Sequence, residues 1–126
     1  RMAKLPANAP ANGLSPLQEA MNALRQLEAE RLTETGEWKR YYSVLTDVLK
    51  RFMERKFQAP AMQKTTGELL LQLKRIQGSG PVSETAEALR VADAVKFARY
   101  QPGKDLAAAS LHTIEKVIKA LDHLKQ

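Results

Sequence analysis

The two histidines are the first residues to weigh for metal chemistry, because the chain has no cysteine. His112 and His123 lie eleven residues apart in a segment with helical periodicity. Eleven residues are close to three full turns, so both side chains share a face but lie about 16 Å apart along the axis. One ion cannot bind both. His112 and Glu115 could supply two ligands, which do not complete a site. We therefore expect two surface histidines and no metal site.

The carboxylates do not suggest an acid–base pair either. Glu28 and Glu30 fall on different faces of a helix, and most other acidic residues lie near a lysine or arginine at helical spacing. The chain has no nucleophile elbow, no phosphate-binding loop, no zinc-protease motif and no dinucleotide fingerprint. We expect no catalytic residue and no cofactor, and we do not expect an enzyme.

Positive charge concentrates in the segment 37–57. It holds six basic and three acidic residues, a balance of +3 within a net charge of +6 for the whole chain. A basic helix face favours an anionic partner, such as nucleic acid, lipid headgroups or an acidic protein surface. It is also compatible with an ordinary solvated face, which Asp47 and Glu54 interrupt. The candidate partner-binding residues of this face are Lys39, Arg40, Lys50, Arg51 and Arg55.

The aromatic residues of the same segment favour a protein partner over nucleic acid. Trp38, Tyr41, Tyr42 and Phe52 fall on the apolar arc, away from the five basic residues. They are therefore predicted to lie in the core and not to stack on bases. A small basic nucleic-acid-binding module remains the alternative. Because Arg40 and Arg51 are both predicted to be exposed, we expect their reversal to glutamate to leave folding intact.

Helices must position these residues. The segment from Ser15 to about Leu32 opens with a hydroxyl cap, a proline at the first helical position and a glutamine three residues after the cap. The segment from about Glu37 to Phe57 separates an apolar arc from a charged arc, which is typical of a helix lying on a core.

Three further helices complete the pattern. Thr65 and Glu68 fit a capping box for a helix from Thr66 to Gln77, and the loop 78–81 follows it. We predict the last two helices from about Glu84 to Phe97 and from about Lys104 to Leu124. At the end of the fourth helix, the residues expected to close the bundle are Val95, Phe97, Ala98 and Tyr100, and those expected to point outward are Lys96 and Arg99.

Length and composition agree with a single soluble domain. The 126 residues are 44% hydrophobic and 27% charged, which are ordinary values for a globular protein. We predict an all-α fold, a compact bundle of about five helices with short loops, over residues 15–126. Residues 1–14 are predicted to be a flexible lead-in. The sequence begins with arginine, with methionine second, so we expect it to be a fragment of a longer protein.

Three stretches, taken in order, resemble a known bacterial family. Residues 41–52 (YYSVLTDVLKRF) resemble F-Y-x-x-L-S-x-x-L-R-x-Y-L, residues 59–70 (APAMQKTTGELL) resemble I-P-A-x-x-x-T-T-x-E-L-L, and residues 92–102 (ADAVKFARYQP) are similar to A-D-x-V-K-F-A-x-Y-x-P. The ordered trio resembles the C-terminal cytoplasmic helical domain of BatD-type, aerotolerance-related membrane proteins. The resemblance spans roughly residues 24–124.

This resemblance implies a role and a place in the cell. It implies a non-enzymatic scaffolding domain, at the cytoplasmic face of the bacterial inner membrane, anchored by a transmembrane helix upstream. The implied protein partners are a MoxR-type AAA+ ATPase and von Willebrand factor A proteins, linked to aerotolerance and stress. The family defines no catalytic residue, so the resemblance carries none over.

Overall fold

The computed structural model describes residues 13–78 and 82–124, and in these ranges it contains five helices and no strand. The helices are α1 (Pro16–Ala29), α2 (Trp38–Phe57), α3 (Thr66–Gln77), α4 (Val82–Ala98) and α5 (Lys104–Asp122). The predicted all-α bundle is confirmed. Residues 1–12 of the predicted lead-in and residues 79–81 of the predicted loop lie outside the described residues.

Two capping boxes start helices as predicted. The backbone N–H of Gln18 donates to Ser15 Oγ at 3.1 Å, and the Ser15 N–H donates to Gln18 Oε1 at 2.9 Å. Thr65 and Glu68 make the same reciprocal pair at 3.2 and 2.9 Å. Each box satisfies two backbone donors that a helix start leaves without partners. Both helices therefore begin at the residue that follows the predicted cap.

The other helix ends differ from prediction by up to three residues. The chain leaves α1 at Ala29, before the predicted Leu32, because Arg31 adopts the left-handed conformation at φ 53°. Leu32 is nevertheless buried in the core. α4 begins at Val82, ahead of the predicted Glu84, and α5 ends at Asp122 instead of Leu124. The differences at α4 and α5, of two residues each, fall within the usual uncertainty of helix ends.

α2 forms the centre of the bundle and packs against α1, α4 and α5. Its buried face carries two tyrosines whose hydroxyls bond across to α5. Tyr41 donates to the carbonyl of Ala107 at 2.9 Å, and the Tyr42 hydroxyl lies 2.8 Å from Ser110 Oγ. Ser110 itself donates to a backbone carbonyl, so Tyr42 is the donor of that pair. Burial raises the pKa of both tyrosines, and both polar heads are satisfied inside the core.

The end of α4 contradicts part of the sequence prediction. Val95 is buried as expected, but Phe97 is 81% exposed, Tyr100 is 45% exposed and Ala98 is exposed. Phe97 follows the exposed Arg90 by seven residues, which places it on the outer face of the helix. Lys96, predicted to point outward, is half-buried.

The half-buried Lys96 ties α4 to α2. Its ammonium donates to Thr46 Oγ1 at 3.3 Å, and that hydroxyl belongs to a buried threonine of α2. A long lysine stem can cross apolar surface and still reach a polar partner at its tip, and this explains why the position is not fully solvated. Arg99, the other residue predicted to point outward, is exposed.

Candidate functional site

The five basic residues proposed for α2 do not form one surface. Lys39 and Arg40 are exposed in the first turn, whereas Arg51 is exposed and Lys50 half-buried in the C-terminal half of the helix. Arg55, predicted to lie on the wet face, is buried, with a side chain only 1% exposed. Lys39 and Arg55 are separated by about 24 Å along the axis. A single small partner segment therefore cannot contact the whole set.

Arg55 belongs to an ion-pair cluster that fastens α1 to α2. We call it the Glu19 cluster: Glu19 Oε1 lies 3.2 Å from Arg55 Nη1 and 3.0 Å from Arg51 Nε. Arg55 Nη2 also donates to the carbonyl of Leu14 at 2.9 Å, next to the cap of α1. One carboxylate on α1 thus takes two arginines from α2. These two cations have a structural partner inside the chain.

The sequence carried a signal for the burial of Arg55. It follows Val48 by seven residues, nearly two turns, so it lies about 20° from a core residue around the helix. The charged face of α2 is therefore narrower than predicted, and Arg55 lies at its buried edge. A guanidinium that is paired and hydrogen-bonded can be buried, and Arg55 meets that condition through Glu19 and Leu14.

Lys39 and Arg40 lie at a different place, around a hollow of about 450 Å³ between the start of α2 and the end of α4. We call it the basic hollow. It brings together residues 36–40 and residues 99–101, which are distant in sequence, over the buried Val95. Its lining residues are Gly36, Glu37, Trp38, Lys39, Arg40, Val95, Arg99, Tyr100 and Gln101.

Two backbone reversals build the walls of the basic hollow. On one side, Gly36 has φ 75°, and the Glu37 N–H donates to the carbonyl of Leu32 at 2.9 Å, which turns the chain into α2. On the other side, Arg99 has φ 58°, and the Tyr100 N–H donates to the carbonyl of Ala94 at 3.1 Å. This second turn ends α4 and directs the chain back over the start of α2.

The charge of the basic hollow is not neutralised within the described residues. There, Lys39, Arg40 and Arg99 form no ion pair with any residue, and Glu37 is the one acidic residue of the lining. The Glu37 carboxylate accepts a hydrogen bond from Thr35 Oγ1 at 3.1 Å. The first turn of α2 has no acidic residue and no side-chain cap. Its free N–H groups add partial positive charge to that of the side chains.

Aromatic rings lie beside these cations, contrary to the sequence prediction. Tyr41, Tyr42 and Phe52 are buried as predicted, but Trp38 is half-buried and lines the basic hollow. Tyr100 lines it from the other side. The helical wheel missed this arrangement because Tyr100 and Arg99 come from the far end of α4. Only the tertiary fold brings them to Lys39 and Arg40.

A second hollow, of about 310 Å³, lies between α1 and α2 near Met62. Small residues of α1, Ala20 and Ala23, open it, and most of its surface is apolar. Its charged members are Glu19, Asp47 and Arg51, and two of these belong to the Glu19 cluster. Two acidic residues and one basic residue therefore line this hollow, whereas three basic residues and one acidic residue line the basic hollow.

Carboxylates elsewhere hold the fold together. Glu54 Oε2 accepts from the N–H groups of Ala61 and Met62 at 2.9 and 2.8 Å, and these bonds lower the pKa of its carboxyl. Glu115 lies 2.6 Å from Arg25 Nη2, and this hydrogen bond is the main reason its pKa is lowered. A carboxylate whose charged form is stabilised in this way is a poor general acid or base near neutral pH.

Neither histidine belongs to a cluster of metal ligands. His112 is exposed on α5 and His123 is exposed at its C-cap. Over residues 13–78 and 82–124, no group of three or more histidine, cysteine, aspartate or glutamate side chains is placed to hold an ion. The expectation that the chain binds no transition metal stays a prediction for titration with zinc.

Comparison with known protein families, with curated proteins and with solved structures found no match to this chain. None of the helices in the described part of the chain is long and apolar enough to cross a membrane. The candidate site therefore stands on its own geometry: three cations and two aromatic rings around one hollow.

Proposed function

We propose that this chain is a non-enzymatic protein-interaction domain with a scaffolding role, and that the basic hollow is its binding surface. The observation that carries the proposal is the meeting of Lys39, Arg40 and Arg99 with Trp38 and Tyr100 at one concave place. Arginine and aromatic residues are enriched in protein interfaces and among the residues that dominate binding energy.

Exposed apolar surface at the end of α4 supports a protein partner. Phe97 is 81% exposed and stands three residues before Tyr100, which is 45% exposed. Over the described residues, two other large apolar side chains are comparably exposed, Met62 at 37% and Leu71 at 50%. Large apolar groups kept in water are a common mark of an interaction site, because a partner gains free energy by covering them.

The resemblance to BatD-type membrane proteins gives the proposal its partners. In that setting the domain works at the cytoplasmic face of the bacterial inner membrane, below an anchoring helix that precedes it. A MoxR-type AAA+ ATPase and von Willebrand factor A proteins are the companions it would hold together. Of the five basic residues first considered, we keep Lys39 and Arg40 for this role and add Arg99.

One observation favours the alternative, a nucleic-acid-binding module. Tyr100 and Trp38 lie beside cations, as stacking platforms do in proteins that bind single strands. Against it, the basic residues of α2 are divided between two places, and Arg51 and Arg55 are paired with Glu19. A strand that contacts several phosphates needs a continuous basic track.

A direct binding experiment tests the proposal. Purified MoxR-type ATPase and von Willebrand factor A protein are titrated into the domain by calorimetry, and a single-stranded oligonucleotide is titrated in parallel at several salt concentrations. We expect saturable binding of at least one of the two proteins. We expect the Arg40→Gln/Arg99→Gln double variant to weaken it by roughly tenfold or more, as for arginines at the centre of an interface.

The matched control is Lys74→Gln/Arg75→Gln, which removes the same charge from exposed positions on α3. This control should bind like the parent domain. Failure of both proteins to bind would overturn the proposed partners. Submicromolar oligonucleotide binding near physiological salt, lost in the Arg40→Gln/Arg99→Gln variant, would establish the nucleic-acid alternative instead.

A further inference from the structure

We infer that the basic hollow recognises a short acidic segment of its partner that carries one bulky apolar side chain. The apolar side chain enters the hollow between Trp38 and Tyr100, and flanking carboxylates pair with Lys39, Arg40 and Arg99. This inference rests on the proposed function, since it specifies the partner's chemistry at the same surface.

The basic hollow has ample room for one large side chain. Its volume of about 450 Å³ is at the lower end of the range for ligand pockets. Val95 is buried, whereas Trp38 is half-buried and Tyr100 is 45% exposed, so both aromatic residues keep part of their surface in water. An apolar side chain placed there would remove part of this aromatic surface from water, which is favourable.

The charge around the hollow specifies the flanking residues. Lys39, Arg40 and Arg99 are exposed and form no ion pair with the described residues. The lining has one carboxylate, that of Glu37, which accepts a hydrogen bond from Thr35, so three cations face one acidic residue. An arginine guanidinium matches a carboxylate with two parallel hydrogen bonds. The start of α2 adds positive potential of the same sign. The surface therefore complements aspartate and glutamate.

Two other occupants fit less well. A second copy of this chain, related by a two-fold axis through this face, would place the same three cations opposite one another. A nucleic-acid strand would need cations in a line, whereas these surround one hollow and the next arginines of α2 are paired with Glu19. An acidic segment with a single apolar anchor requires neither symmetry nor length.

Tryptophan fluorescence gives a direct readout, because Trp38 is the one tryptophan of the chain and it lines the hollow. The probe is a capped heptapeptide with a central phenylalanine between two acidic triplets. We expect a saturable change in Trp38 emission, with a Kd of roughly 10–100 μM for so small a ligand. Replacing the phenylalanine by alanine, or the acidic residues by their amides, should weaken binding by roughly tenfold or more.

Variants locate the binding on the protein. Peptide affinity should fall by about three- to tenfold in each of Arg40→Gln, Arg99→Gln and Tyr100→Ala. The Lys74→Gln/Arg75→Gln control should bind the peptide like the parent domain. Circular dichroism spectra matching the parent show that the variants are folded. Raising the salt concentration should also weaken peptide binding, because the ion pairs between the peptide and the basic hollow are exposed to solvent.

The inference is overturned if Trp38 emission does not respond to the peptide at about 1 mM, or if the amide peptide binds equally well. It is also overturned if an oligothymidine of similar length binds more tightly. The proposed function fails separately: peptide binding without binding of the ATPase or the von Willebrand factor A protein supports the inference and removes those partners. Partner binding that the peptide cannot compete away keeps the proposed function and overturns the inference.

Discussion

Both ends of α2 carry lysine and arginine, but the two ends differ in where the charge is used. Towards the C-terminal end, Arg51 and Arg55 share the carboxylate of Glu19, and Arg55 is buried. At the N-terminal end, Lys39 and Arg40 face the basic hollow and pair with no described residue. The same residue types therefore stabilise the fold at one end and leave a charged surface at the other.

This difference shows why a count of charges along a helix is a weak guide to a binding site. The +3 balance of residues 37–57 includes cations that α1 already neutralises. A candidate site is better identified by the net charge of a surface after the ion pairs within the chain have been subtracted. By that measure the N-terminal end of α2, with Arg99 from α4, is the stronger candidate.

The largest expected effect comes from breaking the Glu19 cluster. Glu19→Gln removes the carboxylate that pairs with the buried Arg55, while the Arg55 bond to Leu14 remains, so we expect the free energy of unfolding to fall by about 2–3 kcal/mol. Urea denaturation followed by circular dichroism measures this. The control is Glu28→Gln, which breaks an exposed pair with Arg25 and should cost no more than about 1 kcal/mol. Equal, small losses in both variants would show that the cluster does not stabilise the fold.

Charge reversal should lower stability at the C-terminal end of α2 more than at its N-terminal end, although by less than Glu19→Gln does. Arg51→Glu places a second carboxylate beside Glu19, so we expect a loss of about 1–2 kcal/mol from repulsion and the broken pair. Arg40→Glu should change stability by no more than about 0.5 kcal/mol, because Arg40 has no described partner. The expectation from sequence, that both reversals leave folding intact, is therefore revised for Arg51. Similar melting curves for the two variants would contradict the comparison.

Most of the fold could be predicted from sequence because its signals are local. Helix starts are encoded within four residues, by Ser15 with Gln18 and by Thr65 with Glu68. The helical periodicity of apolar residues encodes the buried face of α2. The end of α1 was missed because it depends on the left-handed Arg31, and the sequence has no glycine there to mark the turn.

The candidate site could be predicted only in part, because it is not local. Lys39 and Arg40 were identified from the charged arc, but Arg99 and Tyr100 are about sixty residues away and reach the hollow only through packing of α4 on α2. A helical wheel also shows only the direction in which each Cα–Cβ bond points, and it does not show how far a long side chain can reach. Arg55 and Lys96 both bend to distant partners, Glu19 and Thr46.

Acid should weaken the contact between the C-terminal end of α2 and the loop that follows it, because Glu54 makes that contact. The pKa of Glu54 is lowered from 4.5 by the N–H groups of Ala61 and Met62, so the folded state binds its proton less readily than the unfolded chain. Its stabilisation is complete above about pH 4.5 and is lost as the pH falls through the lower, folded pKa.

Glu54→Gln should therefore lower stability by about 1 kcal/mol at pH 7 and make unfolding less sensitive to acid. Denaturation midpoints measured from pH 7 to pH 3 check this. A variant whose acid sensitivity equals that of the parent would show that Glu54 does not contribute.

A small gain in stability is expected at two left-handed residues that follow helix ends, Arg99 after α4 and Gln58 after α2. Both have φ angles above 50°, where a β-carbon is strained and glycine is not. Arg99→Gly and Gln58→Gly should each raise the free energy of unfolding by about 0.5–1 kcal/mol, after allowance for the greater freedom of glycine in the unfolded chain.

The two variants should differ in peptide binding. Only Arg99→Gly removes a cation from the basic hollow, so it alone should weaken binding of the acidic peptide, by about three- to tenfold. A variant that is more stable yet binds less well separates binding from folding at this residue, since loss of structure cannot explain the loss of affinity. If Arg99→Gly binds the peptide as well as Gln58→Gly does, Arg99 serves only to end α4, and the contrast between the two ends of α2 rests on Lys39 and Arg40 alone.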